Sequence, residues 1–201
     1  MSGLVGDNLA RASGVIASAG GGDFVKIVSA EVTGSAVASI DIEGCFTSTY
    51  DMYQIHFDRC NSSGSNYLLP IALDDSNAAI TGTMYTKDGR LEKDYNDAGW
   101  TYDSQNSTSG FAIAATQTSY RDYLTTSGII YINDPRVTRT GPGFSGNTIG
   151  YKVYGGSATD FWMTNGIGST GDSTPWGGFK FQFNSNNIEV GCKVTVYGLV
   201  T

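Results

Sequence analysis

Apolar and polar residues alternate with period two along much of the chain, most clearly over residues 178–201. Phe179, Phe181 and Phe183 are interleaved with Lys180 and Gln182, and Ile188, Val190, Cys192, Val194 and Val196 with Glu189, Gly191, Lys193 and Thr195. Such alternation predicts half-buried strands. Asn184, Ser185, Asn186 and Asn187 lie between the runs. They supply turn chemistry, because Asn tolerates a left-handed backbone and Ser and Asn side chains bond nearby main chain. A β-hairpin is expected, with Phe183 opposite Ile188, Phe181 opposite Val190 and Phe179 opposite Cys192. This register turns both apolar sets to one face, and a slip of one residue would turn the second set away.

Upstream, residues 1–22 are small, polar and rich in Gly, Ala and Ser, with Asp7 able to cap one helical turn before Gly14 ends it. They are expected to form an arm. Ala38, Ile40, Ile42, Gly44 and Phe46 then alternate with Ser39, Asp41, Glu43 and Cys45, and Tyr53, Ile55 and Phe57 with Gln54, His56 and Asp58. A second hairpin is expected here, placing His56 opposite Asp41 or Glu43. Pro70 marks the run 67–73 as an edge strand or a bulge, since proline donates nothing to a ladder. Strand character returns at 80–85, 111–116, 120–124, 128–132 and 148–154. The hydrophilic stretch 87–110 and the Gly/Ser/Thr/Asp-rich stretch 155–178 are expected to be long loops, which usually carry function or mobility. No amphipathic run of helical length is present. About eight to ten short strands separated by turn signals predict an all-β fold, an antiparallel sandwich or barrel. The expected organisation is the arm, 1–22, followed by a single domain, 23–201.

Composition narrows the class. With 201 residues, 40% of them hydrophobic, the chain is long enough to bury a core without staples. Its 27 glycines follow no three-residue period and suit turns and bulges. A net charge of -7 lacks the basic footprint of a nucleic-acid binder, so no nucleic-acid partner is expected. No apolar run approaches the ~18 residues of a membrane span. The first residues lack the pattern of a signal peptide, which leads to the expectation of a chain made in a cytoplasm. The sequons at Asn61 and Asn106 are read as ordinary loop polarity. Cys45, Cys60 and Cys192 are odd in number and match no metal spacing. In the expected hairpin of residues 38–58, Cys45 and Cys60 stand at opposite ends, ~20 Å apart at ~3.3 Å per residue. All three cysteines are therefore expected to be thiols, with Cys192 buried.

Several segments resemble those of small structural proteins of tailed bacteriophages, the head-decoration, head-fibre and tail-fibre type. Gly44-Cys45-Phe46 followed by Tyr50-Asp51-Met52-Tyr53-Gln54-Ile55-His56-Phe57 is similar to a turn, a Tyr-Asp-x-Tyr and a strand in that family. Gly128-Ile129-Ile130-Tyr131-Ile132-Asn133-Asp134-Pro135 resembles its middle strand ending in Asn and Pro. Residues 187–199, closing on Tyr197-Gly198-Leu199, resemble its last strand, and residues 6–14 its N-terminal segment. The resemblance covers about a third of the chain and implies a jelly-roll-like β-sandwich located in the virion.

Candidate chemistry is sparse. His56 on a polar strand face could meet a carboxylate, yet no nucleophile elbow accompanies it, and a surface contact is the expected role. Asp94, Asn96 and Asp97 offer oxygen ligands without the glycine and distal Glu of an EF-hand loop, so no metal and no cofactor are expected. Asp97, Asp103, Asp160 and Asp172 are loop carboxylates from which a glycan-cleaving pair would have to come. Trp100, Tyr102, Trp162 and Trp176 are expected in exposed loops, where the roles open to them are to plug the ends of the sandwich, to pack against a neighbouring subunit or to contact glycan.

These features suit a non-enzymatic virion structural protein that decorates or cements the particle or forms a short fibre. A carbohydrate-binding adhesin is the second role, and a polysaccharide-degrading enzyme the third. Uncovered sheet edges and aromatic loops point to self-association. The resemblance favours a homotrimer whose arm docks on capsid or tail proteins and whose sandwich contacts host-surface glycan.

Overall fold

In a computed structural model the protein is described over residues 24–62, 66–80, 84–93, 100–103, 106–107, 114–116, 125–136, 143–153, 159–170 and 173–199. All regular structure among these residues is strand: β1 (Phe24–Glu31), β2 (Ser39–Ile42), β3 (Met52–Cys60), β4 (Asn66–Leu73), β5 (Met84–Lys93), β6 (Trp100–Asp103), β7 (Asn106–Ser107), β8 (Ala114–Thr116), β9 (Thr125–Asn133), β10 (Gly143–Val153), β11 (Thr159–Thr170), β12 (Gly178–Phe183) and β13 (Lys193–Leu199). The larger antiparallel sheet runs β1-β13-β3-β9-β10-β11-β5-β6, with β7 also on β5, and the smaller runs β2-β12-β4-β8. The fold is an all-β sandwich. The expected arm, 1–22, and the strand expected at 120–124 lie outside the described residues.

Alternation becomes burial where the sheets face each other. In β3 the inward Tyr53, Ile55 and Phe57 are buried between half-buried Gln54 and His56. In β12 the inward set is Phe179, Phe181 and Phe183, each at most 4% exposed. The sheets meet through rings: Phe57 of one sheet packs on Phe181 of the other at 5.6 Å between centroids, and Phe46, on the connection between β2 and β3, packs edge to face on Tyr53 at 4.8 Å. β4 is buried on both faces from Leu68 to Leu73, which accounts for its continuous apolar sequence. The edge or bulge expected from Pro70 is corrected: β4 lies between β12 and β8, and its ladder to β12 runs through Pro70, opposite Phe181, without a register shift.

Neither expected hairpin exists. β12 and β13 lie in different sheets: β12 pairs with β2 and β4, and β13 with β1 and β3. The two apolar sets do share one core, but they reach it from opposite sides. Parity that suits a hairpin suits two strands facing across a sandwich equally well. The connection between them is anchored by bridges from Ile188 to Val37 and to Ser62. Val190, expected inside, is 52% exposed on this connection. Likewise β2 joins β12 and β3 joins β13, so His56 lies opposite Thr195 and Ile129 rather than Asp41 or Glu43.

The cysteine expectation is overturned for the same reason. Cys60 and Cys192 form a disulfide, with 4.3 Å between their Cα atoms and a sequence separation of 132. β3 and β13 are ladder neighbours, so the last residue of β3 meets the residue just before β13. A pairing so distant in sequence leaves no local trace. Cys45 is a free thiol, as expected, but it is buried although the alternation placed it with the polar set; Cys192 is buried, as expected.

The two expected loops also hold strands. β5, β6 and β7 fall within or overlap 87–110, and β11 occupies twelve residues of 155–178. β5 and β11 form a continuous ladder from Met84 opposite Thr170 to Lys93 opposite Phe161. Neither strand shows a regular apolar alternation in sequence. Their strand state comes from neighbours that a single run does not display, as strand preference depends on context.

Candidate functional site

The segments singled out by their motifs come together at one end of the larger sheet. Tyr53 pairs with Gly198 of β13 and with Ile132 of β9, and Met52 with Asn133. Asp134, in a left-handed conformation, donates its backbone N–H to the carbonyl of Asp51 at 2.7 Å. The Tyr53 hydroxyl donates to the Thr47 carbonyl and accepts from the Thr47 N–H, both at 2.8 Å, which closes the turn before β3. Tyr50 packs edge-on against Tyr53 at 5.7 Å.

From that end, β13, β3 and β9 carry a row of polar and aromatic residues across the outer face. Tyr197, Gln54 and Tyr131 stand directly opposite one another, all half-buried, and Lys26 of β1 continues the row at the sheet edge. The next row holds Thr195, His56 and Ile129, with Ser29 on β1. The Nε2–H of His56 donates to Oε1 of Gln54 at 3.0 Å, and its ring lies 4.9 Å from that of Tyr197. Burial lowers the pKa of His56, which favours the neutral imidazole. The Ser29 and Thr195 hydroxyls are bonded to each other at 2.9 Å.

A polar cluster at the same end fixes the approach to β12. Asp74 accepts from the Ser76 hydroxyl at 2.7 Å and from the N–H groups of Ser76 and Ala78, which holds its carboxyl below the usual range. Arg136 binds both oxygens of Asp75, the second at 3.0 Å, and donates to the Trp176 carbonyl at 3.1 Å. Its guanidinium lowers the pKa of Asp75, and its own rises in turn. The N–H of Trp176 donates to the Pro135 carbonyl at 2.8 Å. Burial pushes the Cys45 thiol up to about 12, far from a reactive thiolate.

The four aromatic candidates are not one site. Trp176 is 2% exposed in the core, so its expected loop exposure is corrected: the segment before β12 turns inward and plugs the space between the sheets. Trp100 and Tyr102 belong to β6, opposite Leu91 and Gly89 of β5. Trp162 belongs to β11, opposite Glu92 of β5 and Gly150 of β10. All three are strand residues rather than loop residues. The row of Tyr102 runs through Gly89, Asn165, Asn147 and Ile129 to His56. Asp103 and Asp160 are likewise in strands, whereas Asp94, Asn96, Asp97 and Asp172 lie outside the described residues. Among the described residues no group of three or more His, Cys, Asp or Glu could hold a metal, and no helix is long and apolar enough to cross a membrane.

The Tyr197, Gln54 and Tyr131 row carries no sequence signal of its own. Its members are 54, 131 and 197 in the chain, and only long-range pairing aligns them. Comparison with family models, characterised proteins and solved structures found no match to this chain.

Proposed function

We propose that this chain is a non-enzymatic structural protein of a tailed-phage virion, a jelly-roll domain that decorates or cements the particle. Strand order is the observation that carries this reading. Taking β1, β2, β3, β4, β8, β9, β12 and β13 as the framework, the sheets run first-eighth-third-sixth and second-seventh-fourth-fifth. That order supports a jelly-roll reading, an architecture used by viral capsid and lectin domains. Within that frame β5 to β7 and β10 with β11 are insertions that widen one sheet. A fold does not set a role by itself. The phage assignment rests on the motif segments, three of which meet around Tyr50, Tyr53, Asn133 and Gly198.

The proposed assembly is a homotrimer, since among the described residues β1 is an end strand of the larger sheet and closed symmetry is the usual way homo-oligomers cover such edges. Mass spectrometry of gradient-purified phage particles tests the location, with the chain expected among the structural proteins. Its absence from particles that contain their full coat would overturn the reading. Light scattering on the purified chain should give three times the 21.3 kDa chain mass.

A carbohydrate-binding adhesin is the second reading. It is favoured by the aromatic and amide row on the outer face of the larger sheet.

A further inference from the structure

We propose that the row Tyr197, Gln54 and Tyr131, with His56 beside it, is a binding site for an uncharged polysaccharide chain. This deepens the carbohydrate-binding reading by naming its site and ligand class. The two tyrosines stand on strands either side of β3, two strand spacings apart, which is ~10 Å. That stride lets two rings contact alternate sugars of one extended glycan, with the intervening sugar over Gln54. Tyrosine suits the task because it combines a flat apolar face, a hydroxyl and few rotatable bonds.

Between the rings, the polar groups are already arranged. The Gln54 carbonyl accepts from His56 Nε2, which holds the amide in place and leaves its NH2 group to donate. The neutral imidazole, with Nε2 protonated, presents Nδ1 as an acceptor. A donor and an acceptor side by side match the vicinal hydroxyls of a sugar, and holding them in advance reduces the ordering cost of binding. The tilted contact of His56 with Tyr197 at 4.9 Å fixes the imidazole from the other side.

Charge argues for a neutral ligand. Glu31 and Lys193 pair at 3.8 Å, Asp58 pairs with Arg59 at 3.3 Å, and Asp58 also accepts from Ser127 at 2.6 Å. These groups compensate one another on the far side of the His56 row. Ladder pairing adds two charged residues to the Tyr197 row, and both stand away from Gln54: Lys26 on β1 at one end and, through Ser145 and Ile167, Lys87 on β5, three strands beyond Tyr131.

The experiment is calorimetric titration of the purified full chain with neutral tetrasaccharides of glucose, mannose, galactose and N-acetylglucosamine. At least one should bind with a Kd of about 1 mM or tighter. Tyr131→Ala, Tyr197→Ala and Gln54→Leu should each weaken it by about tenfold or more. Tyr131→Phe, which keeps the ring, should bind more tightly than Tyr131→Ala and guards against a folding artefact. Val190→Ala, on an exposed connection away from the row, should bind as the parent does. Absence of binding to all four sugars, or binding indifferent to the three row substitutions, overturns the proposal. So does a parent oligomer that Tyr197→Ala converts to monomer, because a second copy would then occupy the face. None of these failures bears on the particle location, which mass spectrometry reads independently.

Discussion

The ring of Tyr50 lies against the backbone of Gly198 so closely that a Cβ at position 198 would overlap its ring carbons. A residue before β3 and one near the end of β13 thus lock together, although 148 positions in the numbering separate them. Gly198→Ala is expected to destabilise the protein by about 1–3 kcal/mol, the usual cost of overpacking. Tyr50→Ala should relieve that clash, so the double variant should lose less than the sum of the single losses. Urea unfolding of the four proteins measures the coupling, and strict additivity would show that the ring moves aside freely.

The Cys60–Cys192 disulfide closes a loop of 132 residues. Replacing both cysteines by serine should cost about 2–5 kcal/mol in oxidised protein, through the greater freedom of the unfolded chain. Alkylation of unfolded, unreduced protein should label Cys45 alone. Labelling of all three would show that the bond does not form.

Core and surface should separate cleanly along β12. Phe181→Ala is expected to cost about 3–5 kcal/mol, since the ring is fully buried against Phe57 and Phe179. Lys180→Ala removes only a surface ion pair with Asp41 at 3.3 Å and should cost less than about 1 kcal/mol. Val190→Ala should fall within about 0.5 kcal/mol of the parent, as expected of an exposed position. A large loss at Val190 would restore the hairpin and contradict the sandwich.

Asp75 supplies a pH dependence. Hydrogen bonding from Arg136 lowers its folded pKa below the usual 3.8. Its contribution to stability is therefore present above 3.8 and is lost as pH falls through the lowered value. Asp75→Asn should be less stable than the parent near neutrality, and the gap should close in acid. The pair is solvent-exposed, so salt should shrink the gap as well. Unfolding midpoints across acid pH check this, and a gap that widens in acid would mean the carboxylate is not the stabilising form.

The candidate site was partly legible. Alternation placed Gln54 and His56 on a polar face, and the structure keeps them there. It could not bring Tyr131 and Tyr197 to their sides. Trp176 misled in the opposite direction: a tryptophan among Gly, Pro and Thr looks like loop sequence, yet the segment folds inward and Arg136 and Pro135 hold its main chain.

By itself the sequence determined that this protein is all-β, and it marked most of the inward positions: Tyr53, Ile55, Phe57, Phe179, Phe181, Phe183, Ile188, Val194 and Val196 are all buried. Side-chain alternation is a local property of an extended backbone, and it reports which face leaves water. Only the tertiary structure decided the partners. Hydrogen bonding between strands uses main-chain groups that are nearly the same at every residue, so a single run carries little record of its neighbour. In this fold consecutive framework strands mostly switch sheets, as β2 to β3 and β12 to β13 do. Sequence neighbours therefore face each other across the core, and the ladders, the Cys60–Cys192 bond and the tyrosine row arise between residues far apart in the chain.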